Sequence, residues 1–220
     1  MNRNRKAMAK TGAVLLGAAV AVNAMAVPVM AGTEAQKDEN VYVNLNQDGS
    51  VSGVYVVNEY DLAEETDITD YGNYDSVKNL TTDKELKVSN DKVEIQAPAG
   101  KFYYQGNLKN AEVPWNISIS YQLDGKELSA ENLAGKSGKL EIKISVKGNK
   151  KADDTFFENY LVQGTITLDT KKCSNIQAKG ATAANVGSDR QLLYSIMAGQ
   201  EKEFTITAQV KDFEMDAISF

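Results

Sequence analysis

Trp115-Asn116-Ile117-Ser118-Ile119-Ser120-Tyr121 and Leu140-Glu141-Ile142-Lys143-Ile144-Ser145-Val146 decide the fold of this chain. In both runs apolar and polar residues alternate with a period of two, and the apolar ones are mostly β-branched or aromatic. Successive strand side chains point to opposite faces, so such a run buries one face of a sheet and wets the other. Asp124-Gly125 follows the first run and reads as a tight turn. Ser129-Ala130-Glu131-Asn132-Leu133-Ala134-Gly135 reads as a single helical turn, with Ser129 as its cap and Gly135 as its end.

The same period extends outward in both directions. Upstream, Val41–Leu45 and Val51–Val57 flank Asp48-Gly49, a hairpin signal whose turn positions favour positive φ. Glu85–Val88, Lys92–Gln96 and Lys101–Gln105 are further strands. A softer, acidic stretch from Asn58 to Asp83 separates the two groups. Downstream, Tyr160–Leu168, Leu192–Met197 and Glu203–Val210 continue the pattern, and Phe213, Met215, Ala217, Ile218 and Phe220 close the chain on apolar residues. That ending reads as a piece of something longer or as a last strand completing a sheet. No segment carries a long amphipathic helix. The expected fold is all-β, an antiparallel β-sandwich in two lobes, residues 41–112 and 113–220.

The first 31 residues carry a different signal. Arg3, Arg5, Lys6 and Lys10 precede a small, apolar run from Thr11 to Val29, and Val29-Met30-Ala31 places small residues where a signal peptidase needs them. Residues 1–31 therefore read as a cleaved signal peptide, cut before Gly32 or alternatively after Ala26. A membrane anchor is the competing reading, and Asn23, Pro28 and the Ala/Gly content argue against it. Residues 32–40 are polar and aperiodic and read as a flexible leader.

Removing residues 1–31 leaves 20 Lys+Arg against 30 Asp+Glu, a formal charge of −10. Nucleic acid and anionic membrane surfaces select basic patches, so neither is an expected partner. The chain has no His, which removes the commonest general base and metal ligand. Its single Cys173 makes no internal disulfide and reads as a buried, inert thiol. Lysine–asparagine cross-links would suit an exported β-module without disulfides, with Lys143, Lys147 and Asn159 as the residues to watch.

Several motifs fail on inspection. Asn44–Gly49 opens like a calcium loop, but the twelfth position, which needs a bidentate acid, is Tyr55. Gly135-Lys136-Ser137 lacks the earlier glycine of a phosphate loop and precedes a strand. Asp67, Asp70 and Asp75 are weak candidate Ca²⁺ ligands within the acidic segment Asp61–Asp75. The same segment supports the alternative expectation of a carbohydrate-active or Ca-binding protein. Tyr71, Tyr74, Tyr103, Tyr104 and Trp115 form either a ligand platform or ordinary sheet-face packing.

As an ordered set, some of these residues resemble a known family. Val41-Tyr42-Val43-Asn44-Leu45, Asp48-Gly49-Ser50, Asp70-Tyr71-Gly72-Asn73-Tyr74 and Val77-Lys78-Asn79-Leu80-Thr81 come first. Phe102-Tyr103-Tyr104-Gln105-Gly106, Val113-Pro114-Trp115, Tyr121-Gln122-Leu123-Asp124-Gly125 and Leu133-Ala134-Gly135-Lys136-Ser137-Gly138 follow. The set resembles the exported N-terminal β-rich region of large Gram-positive cell-envelope proteins related to phage infection protein, over nearly all of the mature chain. That resemblance implies a downstream region of heptad-like repeats and membrane segments, through which alone the chain would meet a membrane. It carries over no catalytic residue. The expected function is a non-enzymatic, exported cell-envelope module on the extracellular face, structural or recognising an envelope protein or wall polymer, with no cofactor.

Overall fold

The computed structural model describes Val14–Ala19, residues 36–108 and residues 111–220. Apart from the backbone of Val14–Ala19, the expected signal segment lies outside the described residues. The chain is all-β, built of antiparallel sheets. In order, the strands are β1 Val14–Ala19, β2 Gln36–Leu45, β3 Val51–Leu62, β4 Thr66–Tyr71, β5 Ser76–Asn79, β6 Lys87–Ser89, β7 Lys92–Ala97 and β8 Gly100–Leu108. They continue as β9 Trp115–Leu123, β10 Lys126–Leu128, β11 Gly138–Gly148, β12 Val162–Asp169, β13 Cys173–Ala178, β14 Thr182–Val186, β15 Asp189–Ile196 and β16 Lys202–Val210. Two short helices, α1 Ala130–Leu133 and α2 Asp154–Asn159, complete them.

Contacts divide the described chain into two compact units. One holds residues 36–44 and 52–108; the other holds residues 45–51 and 112–220. In the first unit, β2, β3, β8 and β5 of the sheet ordered β1-β2-β3-β8-β5 and the sheet of order β4-β7-β6 share one core. Tyr60 and Leu62 of β3, Val93, Ile95 and Ala97 of β7, and Phe102 and Tyr104 of β8 fill it. The alternation of buried and open positions along β3 and β7 is the sequence pattern made physical.

The second unit is a sandwich of sheets ordered β10-β9-β11-β16-β13 and β12-β15-β14. Ile117, Ile119 and Tyr121 pair with Val146, Ile144 and Ile142 across β9 and β11, all of them buried. Tyr194 of β15 stacks on Phe204 of β16 with ring centroids 3.9 Å apart, which ties one sheet to the other.

Three local expectations need correction. Gln36–Asn40 belongs to β2 rather than to a flexible leader, because Lys37 has a buried partner in Asp70 that fixes it. The hairpin at Asp48-Gly49 closes through a five-residue loop in which only Gly49, at φ +90°, is left-handed. Its shape comes from Asn46 N–H on the Ser50 carbonyl at 2.7 Å and from the Asp48 carboxylate, which accepts from the Ser50 N–H and hydroxyl. Asp124-Gly125, by contrast, is the two-residue turn its sequence predicts, with φ of 51° and 77°. Ser129 does start α1, but its side chain makes no capping bond; its hydroxyl accepts from the Asn132 amide instead.

Candidate functional site

Asp70 is the most densely bonded buried side chain of the first unit. Position 70 falls on the inward face of β4, so the alternation that buries Val93 opposite it in β7 also buries a carboxylate. A buried carboxylate is stable only when paired and hydrogen-bonded. Lys37 of β2 donates to its Oδ1 at 2.7 Å, and the Tyr71 backbone N–H donates to the same oxygen at 2.8 Å. The Tyr104 hydroxyl donates to Oδ2. The Tyr60 hydroxyl also bears on this carboxylate, and the Lys37 ammonium lies 5.9 Å from the centre of the Tyr60 ring. Glu39, two residues along β2 on the same face, lies 2.5 Å from that ammonium.

The electrostatics follow from this arrangement. Burial alone pushes the Asp70 carboxyl up, but the bonds from Lys37, Tyr104 and Tyr60 outweigh it and hold the group below the ordinary range. Burial likewise disfavours the charge on Lys37, and the bonds to Asp70 and Glu39 reverse it, so its pKa stands above the usual value. Burial first, and Asp70 second, push the phenols of Tyr60 and Tyr104 far upward; both stay protonated and act as donors.

A second polar pair adjoins this core. Asn58 of β3 is fully buried and donates to the Tyr74 hydroxyl at 3.2 Å, while its Oδ1 has no partner among the described residues. The Tyr74 ring occupies the space left by two glycines. A Cβ on Gly72 or on Gly106 would overlap it.

The sequence-derived candidates separate in this frame. Asp70 is engaged as described, whereas Asp67 and Asp75 are exposed, and no cluster of three metal-capable side chains forms among the described residues. The three aspartates are therefore not assembled into one site. Tyr104 is buried against Asp70, Tyr74 packs edge-on to it at 6.2 Å, and Tyr71 is exposed, so these tyrosines form no common face. Lys143 and Lys147 pair with Glu141 and Glu203, and the Asn159 amide donates to the Thr155 carbonyl. Burial pushes the Cys173 thiol up, away from reactivity. Sequence reading missed Lys37 and Glu39, whose i, i+2 spacing on an extended segment was the available signal.

The second unit offers an open cleft of about 460 Å³ lined by Lys179, Gly180, Tyr194–Ile196 and Lys202–Thr205. Two incompletely covered strands border it. β13 pairs with β16 only at residues 206–210, and β14 pairs with β15 only at residues 189–193. The outer backbone edges of Tyr194–Ile196 and Lys202–Thr205 thus have no strand partner among the described residues. Two other edges in the unit are partly met by loop or chain-end residues: Ile119 N–H of β9 bonds the Asp48 carbonyl at 2.8 Å, and Ser219 bridges to Thr165 of β12. Lys179 and Lys202 form no ion pair among the described residues, while Glu203 is engaged by Lys147 at 3.5 Å. Among known proteins, no family and no curated relative matches the chain.

Proposed function

We propose that this chain is a non-enzymatic, exported module of the cell envelope that recognises an extended acidic polypeptide along open strand edges. The observation that carries the reading is the cleft bordered by the unpaired edges of Tyr194–Ile196 and Lys202–Thr205. Unpaired N–H and C=O groups in a row are a template for an added strand. Lys179 and Lys202 give that template a preference for carboxylates. The signal-like residues 1–31, the acidic mature chain and the resemblance to phage-infection-protein-related envelope proteins support export and an envelope location.

The test is a titration of the exported chain with two synthetic peptides, one alternating Glu and Val, the other Lys and Val. The acidic peptide binds, more weakly as salt rises, and the double variant Lys179→Glu/Lys202→Glu loses it. Equal binding of both peptides, or binding unchanged by the double variant, contradicts the reading. Specific turnover in a broad substrate screen contradicts its non-enzymatic part.

A further inference from the structure

We propose that Lys37 and Asp70 are joined by an intramolecular amide, an isopeptide bond that staples β2 of one sheet to β4 of the other in the first unit. The inference is independent of the peptide-binding reading above. Three features separate this contact from an ordinary ion pair. The Asp70 side chain is only 9% exposed and that of Lys37 26%, whereas both partners of Lys92–Glu94 and of Lys143–Glu141 are at least 30% exposed. The Lys37 nitrogen has two carboxylates upon it, Asp70 Oδ1 at 2.7 Å and Glu39 at 2.5 Å, where a pair needs one. And the other Asp70 oxygen, Oδ2, is held by a phenol donor, Tyr104.

Those three groups supply the parts of an amide-forming reaction. Within the pair a proton passes from the Lys37 ammonium to Asp70 Oδ1, which leaves a neutral amine facing a neutral carboxyl. The freed Nζ lone pair attacks Asp70 Cγ, and the charge that develops on Oδ2 is met by the buried Tyr104 hydroxyl, a fixed donor. Glu39, as general base, takes the second proton from the nitrogen and passes it to Oδ1. The Cγ–Oδ1 bond then breaks, Oδ1 leaves as water with these two protons, and Oδ2 becomes the amide oxygen. An ammonium and a carboxylate become one neutral amide and one water, so atoms and charge balance with no oxidant or co-reactant. Proximity supplies the reactants at high effective concentration. The product also removes two charges from a buried setting, where each costs desolvation.

The experiment is intact-mass spectrometry of the exported full chain, with protease mapping. The expected result is a mass one water below that of the sequence from the observed N-terminus onward, and a branched peptide joining the segments that carry Lys37 and Asp70. Lys37→Arg, which keeps the positive charge but has no amine to acylate, should show the full mass, and Glu39→Gln should remain largely unlinked. A full sequence mass in wild-type chain that unfolds cooperatively overturns the proposal. So does a water loss that persists in Lys37→Arg. Complete linkage in Glu39→Gln overturns the role given to Glu39.

Discussion

Asp70 shows how far one residue can depend on its neighbours. Its carboxylate sits on the buried face of β4 because Lys37, Tyr104 and the Tyr71 N–H together replace the water it loses. Removing one member leaves the others uncompensated. Tyr104→Phe should lower the unfolding free energy by about 1–3 kcal/mol, and Asp70→Ala by about 3–5 kcal/mol, measured by denaturant titration. Unchanged midpoints would mean that the cluster is not formed. The ionic pair also sets a pH signature. The Asp70 pKa lies below the ordinary 3.8, so its contribution is complete above that value and fades as pH falls through the folded value. The Lys37 pKa lies above 10.5, so its contribution is complete below that value and fades as pH rises through the folded one. An amide has neither charge. Lys37→Arg should therefore keep the acid-side loss of stability, while linked wild type lacks this pair's share of it, a difference readable in thermal melts across pH. Tyr74 adds a packing test. Its ring fills the place of two absent side chains, so Gly106→Ala should cost about 1–3 kcal/mol by overpacking.

Elements divide into those set by their own residues and those set by distant partners. β9 and β11 were legible because each buries one face, and a period-two pattern records that directly. The Asp124-Gly125 turn was legible because two residues with positive φ suffice to make it. β14 was not, since all five of its residues are exposed and its strand character comes solely from pairing with β15. β4 and β5 were hidden in the acidic stretch for a related reason: their edges pair with β7 and β8, far along the chain. The cluster around Asp70 was half legible. Asp70 and Tyr104 stood out as residue types, but Lys37 meets Asp70 from 33 positions away, a pairing that fold alone creates. The loop of residues 46–50 makes the element-scale prediction. Gly49 has φ +90° and a Cβ there would lie 2.5 Å from the Ile117 carbonyl oxygen, part of backbone that cannot turn aside. Gly49→Ala should destabilise the second unit by about 1–3 kcal/mol and raise exchange of the Ile119 amide, which bonds the Asp48 carbonyl. An unchanged Ile119 amide would contradict the contact.

At the scale of the whole molecule, the two units solve the same problem without disulfides. Each closes a hydrophobic core between antiparallel sheets, the first around Phe102 and Tyr104, the second around paired β9, β11 and β16. What sets the second apart is its treatment of edges. β9 is met by the Asp48 carbonyl and β12 by Ser219, and β13 is interrupted by a register shift between Ser174 and Gln177. Such devices keep sheets from pairing at random. The edges of β15 and β16 beside the cleft have none of them, and with Lys179 and Lys202 lining the same cleft they are where the proposed acidic strand would add. Amide hydrogen exchange of residues 32–220, with and without the alternating Glu/Val peptide, tests this most directly. The account predicts fast exchange within Tyr194–Ile196 and Lys202–Thr205 for amides that face the cleft, and protection of those same amides when peptide is added. Full protection in the free chain, or exchange that the peptide leaves unchanged, would contradict it.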